Sequence, residues 1–317
     1  MPLNNAPKKK DLPMVGVDEQ ITLLTHPEQN PTGYQPFVDA DKFPFEPRAV
    51  EVTRTNAWWL AEAAWLSYSH SEPDVKAVYT SRTGMSAALL SANGTECTVA
   101  SNDAFAIVAF RGTQPDQWRD LFSDARWFPK GWDAGHVHGG FAEAFEVVWP
   151  KLKDRLDHLA PKCRVWFTGH SLGAALATLA AYRCASTAGV CTFGSPLVGN
   201  QSFAGSFNTK LPDRSLRYVN DHDIVTRVPP EEFAFPFGRY AHVDLVRSIG
   251  PDGTVSGTAP SRFFQDVIGQ PSFMFHLMQN IGTLGFPSLP DSLRDHTPLH
   301  YVIHAWNDFA SHWQPSS

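Results

Sequence analysis

The stretch Gly169-His170-Ser171-Leu172-Gly173 offers a serine between two glycines, a spacing that can present a nucleophile. A serine hydroxyl attacks poorly at neutral pH unless it is held exposed beside a base. Val165-Trp166-Phe167-Thr168 before it reads as a strand, and the Ala-rich Leu172 to Arg183 after it reads as a helix. Strand, sharp turn and helix are what a nucleophile elbow requires. The turn is so tight that side chains at 169 and 173 would collide with the neighbouring strand and helix, which accounts for both glycines. A Gly-x-Ser-x-Gly alone also occurs in ordinary turns; its flanks give this one its meaning.

A nucleophilic serine needs a histidine to take its proton and a carboxylate to orient that histidine. Leu216 to Asn220 reads as a later strand, delivering Asp221 and Asp223 into the loop beyond it. Asp221 reads as a solvated turn residue. Among 13 histidines, His242 lies in an alternating stretch with Tyr240 and Asp244 and reads as structural. His276, within Phe273 to Met278, reads as packed among apolar groups, and His304 and His312 fall on the last helix. His138 has no step to perform and reads as structural. The base is therefore sought between His296 and His300. Thr297 suits an N-cap and Pro298 a first helical position, so His296 occupies the loop just before a helix and can reach over the serine. The tetrahedral intermediate needs donors aimed at its oxyanion, and the backbone N–H of Leu172, following the nucleophile, is the first candidate.

These residues need a scaffold that brings strand ends together. Ala49 to Ser69 has aromatic and apolar positions at helical spacing, and Phe141 to Leu159 is also helical in period. Val75 to Thr80, Cys97 to Ser101, Cys163 to Thr168 and Val190 to Phe193 read as strands, and the apolar run Ala104 to Phe110 as one buried on both faces. Such alternation predicts an α/β fold with a mostly parallel central sheet flanked by helices. Residues 1–47, rich in Pro, Asn and Gln, read as an N-terminal extension wrapped over the domain or partly mobile, and 48–317 as a single domain.

The formal charge of −6 and the lack of a basic patch give no reason to expect a nucleic-acid partner. No apolar run approaches the roughly 20 residues of a membrane span, so no stable membrane insertion is expected. Lys8, Lys9 and Lys10 are followed by Asp11 and Asp18-Glu19, so no signal peptide is visible. Four cysteines without Cys-x-x-Cys spacing suggest neither a disulfide framework nor zinc, and no metal or cofactor is implied.

Taken in order, Phe110-Arg111-Gly112-Thr113, His138-Gly139-Gly140-Phe141, Phe167 to Gly173, Gly194-Ser195-Pro196-x-Val198-Gly199-Asn200 and Asp223-Ile224-Val225-x-Arg227-x-Pro229-Pro230 resemble the class 3 lipases, typified by filamentous-fungal triacylglycerol lipases and their bacterial relatives. The resemblance runs from about Ala104 to Pro230 and implies an α/β-hydrolase fold with a lid. It favours Asp223 as the acid through the Asp-Ile-Val position and implies Thr113 as the second oxyanion donor. An Asp-His-x-x-x-x-Tyr ending like that of bacterial relatives favours His296, whereas the fungal Pro-x-His ending would favour His300. The implied activity is a serine carboxylic ester hydrolase on lipid esters, first a triacylglycerol lipase. Phospholipase A1, feruloyl-type esterase and acyltransferase are variants on the same machinery, and an inactive lipid-binding scaffold is the reading of a different class. The implied partners are a lipid or ester substrate and a lipid–water interface. The family points to an extracellular location, the missing signal peptide to the cytoplasm. Trp118, Leu121, Phe122 and Ala125 make 116–128 an amphipathic lid candidate that could equally dock permanently on the core. The Phe- and Met-rich segment 271–290 is a rival cover.

Overall fold

The computed structural model describes residues 6–112, 128–159, 163–243, 245–257 and 291–315. The strands in chain order are β1 (Ser86–Ala92), β2 (Thr95–Ser101), β3 (Phe105–Phe110), β4 (Pro129–Gly131), β5 (His136–His138), β6 (Arg164–His170), β7 (Thr187–Phe193), β8 (Gly199–Asn200), β9 (Ser215–Asn220), β10 (Tyr240–Ala241), β11 (Leu245–Ile249) and β12 (Val255–Ser256). Eight form one sheet in the order β1-β2-β3-β6-β7-β9-β11-β12, and β10-β8-β5-β4 form a second, small antiparallel sheet. From β3 through β11 every pairing in the large sheet is parallel; its edges are antiparallel. The parallel centre aligns the carboxyl ends of β6, β7 and β9, where an α/β sheet builds its sites.

The helices are α1 (Val17–Thr25), α2 (Arg54–Leu66), α3 (Glu72–Val78), α4 (Gly139–Asp157), α5 (Leu172–Arg183), α6 (Gln201–Lys210), α7 (Asp291–Arg294) and α8 (Pro298–His312). The period-2 geometry of a strand sends alternate residues of β3 to opposite faces. Val108 and Phe110 pack with α4 and α5, through Phe141, Phe145, Ala175 and Leu176. Ile107 and Ala109 pack with α2 and α8, through Trp58, Trp59 and Trp306. Both faces are thus covered, as the continuous apolar run of β3 predicts. Each buried Phe-sized side chain contributes roughly 1.5–3 kcal/mol.

Residues 6–47 contribute chiefly to the second of these cores. Leu23, Phe37, Phe43 and Phe45 are buried within it, and Phe45 stacks on Phe105 at 4.6 Å. Lys8 and Lys10 are tied to α8 by Trp306 Nε1 donating to the Lys8 carbonyl at 2.6 Å and by a reciprocal pair of bonds between the Lys10 backbone and the Asn307 amide.

Two local expectations need correction. Val75 to Thr80 is not a strand: Ser71 caps a helix, and Val75, Val78 and Tyr79 stand at i, i+3 and i+4, one helical face. The edge strand β1 is absent from the expected set. Its pairing with β2 across Asn93-Gly94 has positive φ at both residues, the two-residue hairpin signature.

Candidate active site

Ser171 sits between the end of β6 and the first residue of α5, with φ 59° and ψ −126°. A side chain in this region of backbone space costs on the order of 1–3 kcal/mol and persists only where the surroundings enforce it. Here the Ser171 N–H donates to the Phe193 carbonyl at 3.0 Å, and its carbonyl accepts from Ala174 N–H at 3.0 Å. A Cβ at Gly169 would stand 2.3 Å from the Gly173 carbonyl group, and one at Gly173 would stand 2.2 Å from the Phe110 carbonyl oxygen. Both glycines are therefore required for space. Leu172 opens α5, where helix geometry leaves the first N–H groups without an intrahelical partner.

Asp223 follows β9 and is fully buried. Its Oδ1 accepts from Val225 N–H at 2.9 Å; its Oδ2 accepts from the Tyr301 hydroxyl at 2.6 Å and pairs with His296 Nδ1 at 2.7 Å. A buried carboxylate is tolerable only when so satisfied. The Tyr301 hydroxyl in turn accepts from Asn220 N–H at 3.0 Å. Burial, then the nearby Asp223 carboxylate, push the Tyr301 hydroxyl far above the usual phenol range, so it stays protonated and donates.

The loop carrying His296 is fixed on both sides. His296 N–H donates to the Leu293 carbonyl at 3.0 Å, Asn220 Nδ2 donates to the Asp295 carbonyl, and His222 Nδ1 lies 3.2 Å from Asp295 Oδ2. Thr297 occupies the N-cap position of α8, without a side-chain capping bond, and Pro298 begins the helix, as expected. The His296 ring is fully buried and lies 4.4 Å, centroid to centroid, from the ring of His170, the residue before Ser171. Gly194, at the end of β7, closes the group. With φ +57°, a Cβ there would stand 2.8 Å from Asp223 Oδ2 and 3.0 Å from the His296 ring. The ends of β6, β7 and β9 and the loop before α8 thus bring the Ser171 turn, Asp223 and His296 to one place.

His300 does not share it. It lies in the first turn of α8, buried, and burial, then the charges of His304 and Arg294, push its ring down to about 3. His138 caps α4 by accepting from Phe141 N–H, and His242 Nε2 lies 2.7 Å from the Thr226 carbonyl oxygen. Asp221 lies in a turn, partly exposed, with its carbonyl accepting from Arg227 and its N–H donating to the Ile249 carbonyl. Thr113, His276, all of the lid candidate 116–128 but its last residue, and the rival cover 271–290 lie outside the described residues. Among the described residues, no group of His, Cys, Asp or Glu side chains is suited to a metal ion, and no helix is long and apolar enough to cross a membrane.

Three contributors have no role in the sequence reading. Tyr301 is the tyrosine of the Asp-His-x-x-x-x-Tyr ending, quoted there only as a mark of resemblance. Gly194 sits in the Gly-Ser-Pro motif, whose glycine could have been read as a close approach. Tyr68, 2.8 Å from His170 Nδ1, is 102 residues away in sequence and gives no local signal.

Residues 107–233 match the family model "Lipase (class 3)". A secreted mono- and diacylglycerol lipase of Malassezia globosa is 34% identical over 128 residues, which is 37% of this chain and 41% of that protein. A chloroplastic phospholipase A(1) of Arabidopsis thaliana is 46% identical over 71 residues, 20% of this chain and 16% of that one. The chain spans about two-fifths of the length of the first of these relatives. Lipase II from Rhizopus niveus superposes with a TM-score of 0.52 at 23% identity, covering 72% of this chain and 95% of that one, which establishes the α/β-hydrolase fold. These motifs, in this order and on this sheet, make residues 107–233 similar to the class 3 lipases.

Proposed function

We propose that this chain hydrolyses carboxylic esters of lipids, with Ser171 as nucleophile, His296 as general base and Asp223 as the group that orients it. The observation that carries this reading is the buried 2.7 Å bond between His296 Nδ1 and Asp223, made beside the strained turn of Ser171. That bond leaves Nε2 of His296 to take the Ser171 proton as Oγ attacks the ester carbonyl. The N–H of Leu172 and the Thr113 residue stabilise the oxyanion. His296 then protonates the leaving alcohol, and water clears the acyl-enzyme by the same route. Side chains and water balance each step without a metal or cofactor.

Acylglycerols are the first substrate class, triacylglycerol as the resemblance to class 3 lipases implies and mono- and diacylglycerol as the names of several relatives suggest. Phospholipids are the second, favoured by the similarity to a phospholipase A(1). The word "secreted" in those relatives' names supports an extracellular location over a cytoplasmic one. Ser171 is only 2% exposed, so this reading requires an opening step before a lipid carbonyl reaches it. We assign that step to 116–128, with 271–290 as the alternative cover.

The test compares wild type with Ser171→Ala on p-nitrophenyl butyrate, emulsified triglyceride, diacylglycerol and phosphatidylcholine. Loss of all hydrolysis in the variant supports the reading, and the preferred emulsion identifies the substrate. Equal rates in the two proteins would leave only a lipid-binding scaffold.

A further inference from the structure

The chemistry assigned above does not use His170, although its ring is buried against that of His296. Its Nδ1 lies 2.8 Å from the hydroxyl of Tyr68, which follows α2 and is itself buried. Burial pushes the Tyr68 hydroxyl above the usual phenol range, so it stays protonated and pairs with His170 as a neutral hydroxyl. His170 is held neutral, first by burial and then by the proximity of His296, with a backbone contact to His296 working the other way. A neutral ring there can lie against an imidazolium; a charged one would repel it. The same pair supports a second element. A Cβ at Gly112, the residue before Thr113, would stand 2.1 Å from the Tyr68 hydroxyl oxygen and 2.7 Å from the His170 carbonyl oxygen. Tyr68 and His170 therefore form the floor on which the chain leaves β3, and the wall against which the His296 ring rests.

We propose that Tyr68 and His170 are a positioning pair: their hydrogen bond fixes the His170 ring, and that ring holds His296 in line between Asp223 and Ser171. This rests on reading His296 as the general base. The pair touches no reacting atom, so its removal acts on the geometry of proton transfer and not on substrate binding.

Tyr68→Phe removes one oxygen from a packed ring, and His170→Phe keeps a flat ring without the hydrogen bond. Two readouts test them in the full-length protein. The first is the downfield proton resonance of the His296–Asp223 hydrogen bond, recorded without substrate. The second is kcat and KM on p-nitrophenyl butyrate for both variants and their double. We expect the resonance to shift or broaden in each variant, kcat to fall roughly 10-fold with KM within about twofold, and the double variant to lose no more than either single. An unmoved resonance, an unchanged kcat, or losses that add in the double overturn the pair. If one variant does not fold, the other decides by the same two readouts. The resonance needs no turnover, so a wild type without Ser171-dependent hydrolysis would defeat the proposed function, while the resonance would still decide whether the pair positions His296.

Discussion

The Tyr301 hydroxyl and the His296 ring share one oxygen of Asp223, Oδ2, at 2.6 and 2.7 Å. Because the hydroxyl also accepts from Asn220 N–H, it ties the acid to the end of β9 and to α8 at once. Tyr301→Phe should lower kcat roughly 10-fold with KM unchanged, since it frees the carboxylate that aims the base. It should also cost about 1–3 kcal/mol of stability, because it leaves a buried N–H without an acceptor. Steady-state kinetics and urea unfolding measure both. A lower stability with full activity would confine Tyr301 to the fold.

His296 and His300 lie four residues apart, and only His296 meets Asp223. His296→Ala, Asp223→Asn and Ser171→Ala should each reduce kcat by at least ~10³-fold without unfolding the protein. His300→Phe should stay within about tenfold of wild type, since a ring held neutral in the first turn of α8 serves packing. An active His296→Ala beside an inactive His300→Phe would reverse the assignment.

Gly194 is the point at which β7 comes closest to the Asp223–His296 pair. An alanine there would place a methyl 2.8 Å from Asp223 Oδ2 and 3.0 Å from the His296 ring, and φ +57° adds about 1–2 kcal/mol of strain. Gly194→Ala should remain folded and lose on the order of 10²-fold in kcat, through displacement of the acid and base. Circular dichroism and turnover of p-nitrophenyl butyrate would show it. A variant that keeps its turnover would mean that the Asp223–His296 contact tolerates a shift.

Much of this is legible in the residues. The elbow is, because a glycine on each side of Ser171 has one steric explanation, and that explanation is met by backbone contacts of 2.2–2.3 Å. The loop position of His296 is, because Thr297-Pro298 marks a helix start. Val75 to Thr80 misleads because a short apolar run has no length to separate a strand from one helical face. The Asn93-Gly94 hairpin carries its own signature but joins a strand, β1, that is only partly buried and has weak alternation. Tyr68 and Tyr301 are beyond reach for a different reason: their partners, His170 and Asp223, are 102 and 78 residues away, and such contacts exist only once the sheet has formed.

Away from the site, Glu62 is fully buried on α2, where its Oε1 accepts from the Tyr34 hydroxyl at 2.7 Å and Trp58 Nε1 at 2.8 Å. Burial pushes its carboxyl from 4.5 up to about 7, against the opposing pull of Lys10, Tyr34 and Trp58. The folded protein therefore holds a proton on Glu62 up to about pH 7, whereas the unfolded chain releases it near pH 4.5. Between those values the native state binds more protons than the unfolded state, so this group's contribution to stability falls as pH rises through the window and levels off above it. The loss is on the order of 3 kcal/mol across the window. Glu62→Gln keeps an oxygen for Tyr34 and Trp58 and cannot ionise. Its melting temperature, compared with that of wild type from pH 5 to pH 8, should gain steadily on wild type up to about pH 7 and then run parallel. Curves that stay parallel over the whole range would show that Glu62 is already ionised at pH 5 in the folded protein, with Lys10 as an effective counter-charge.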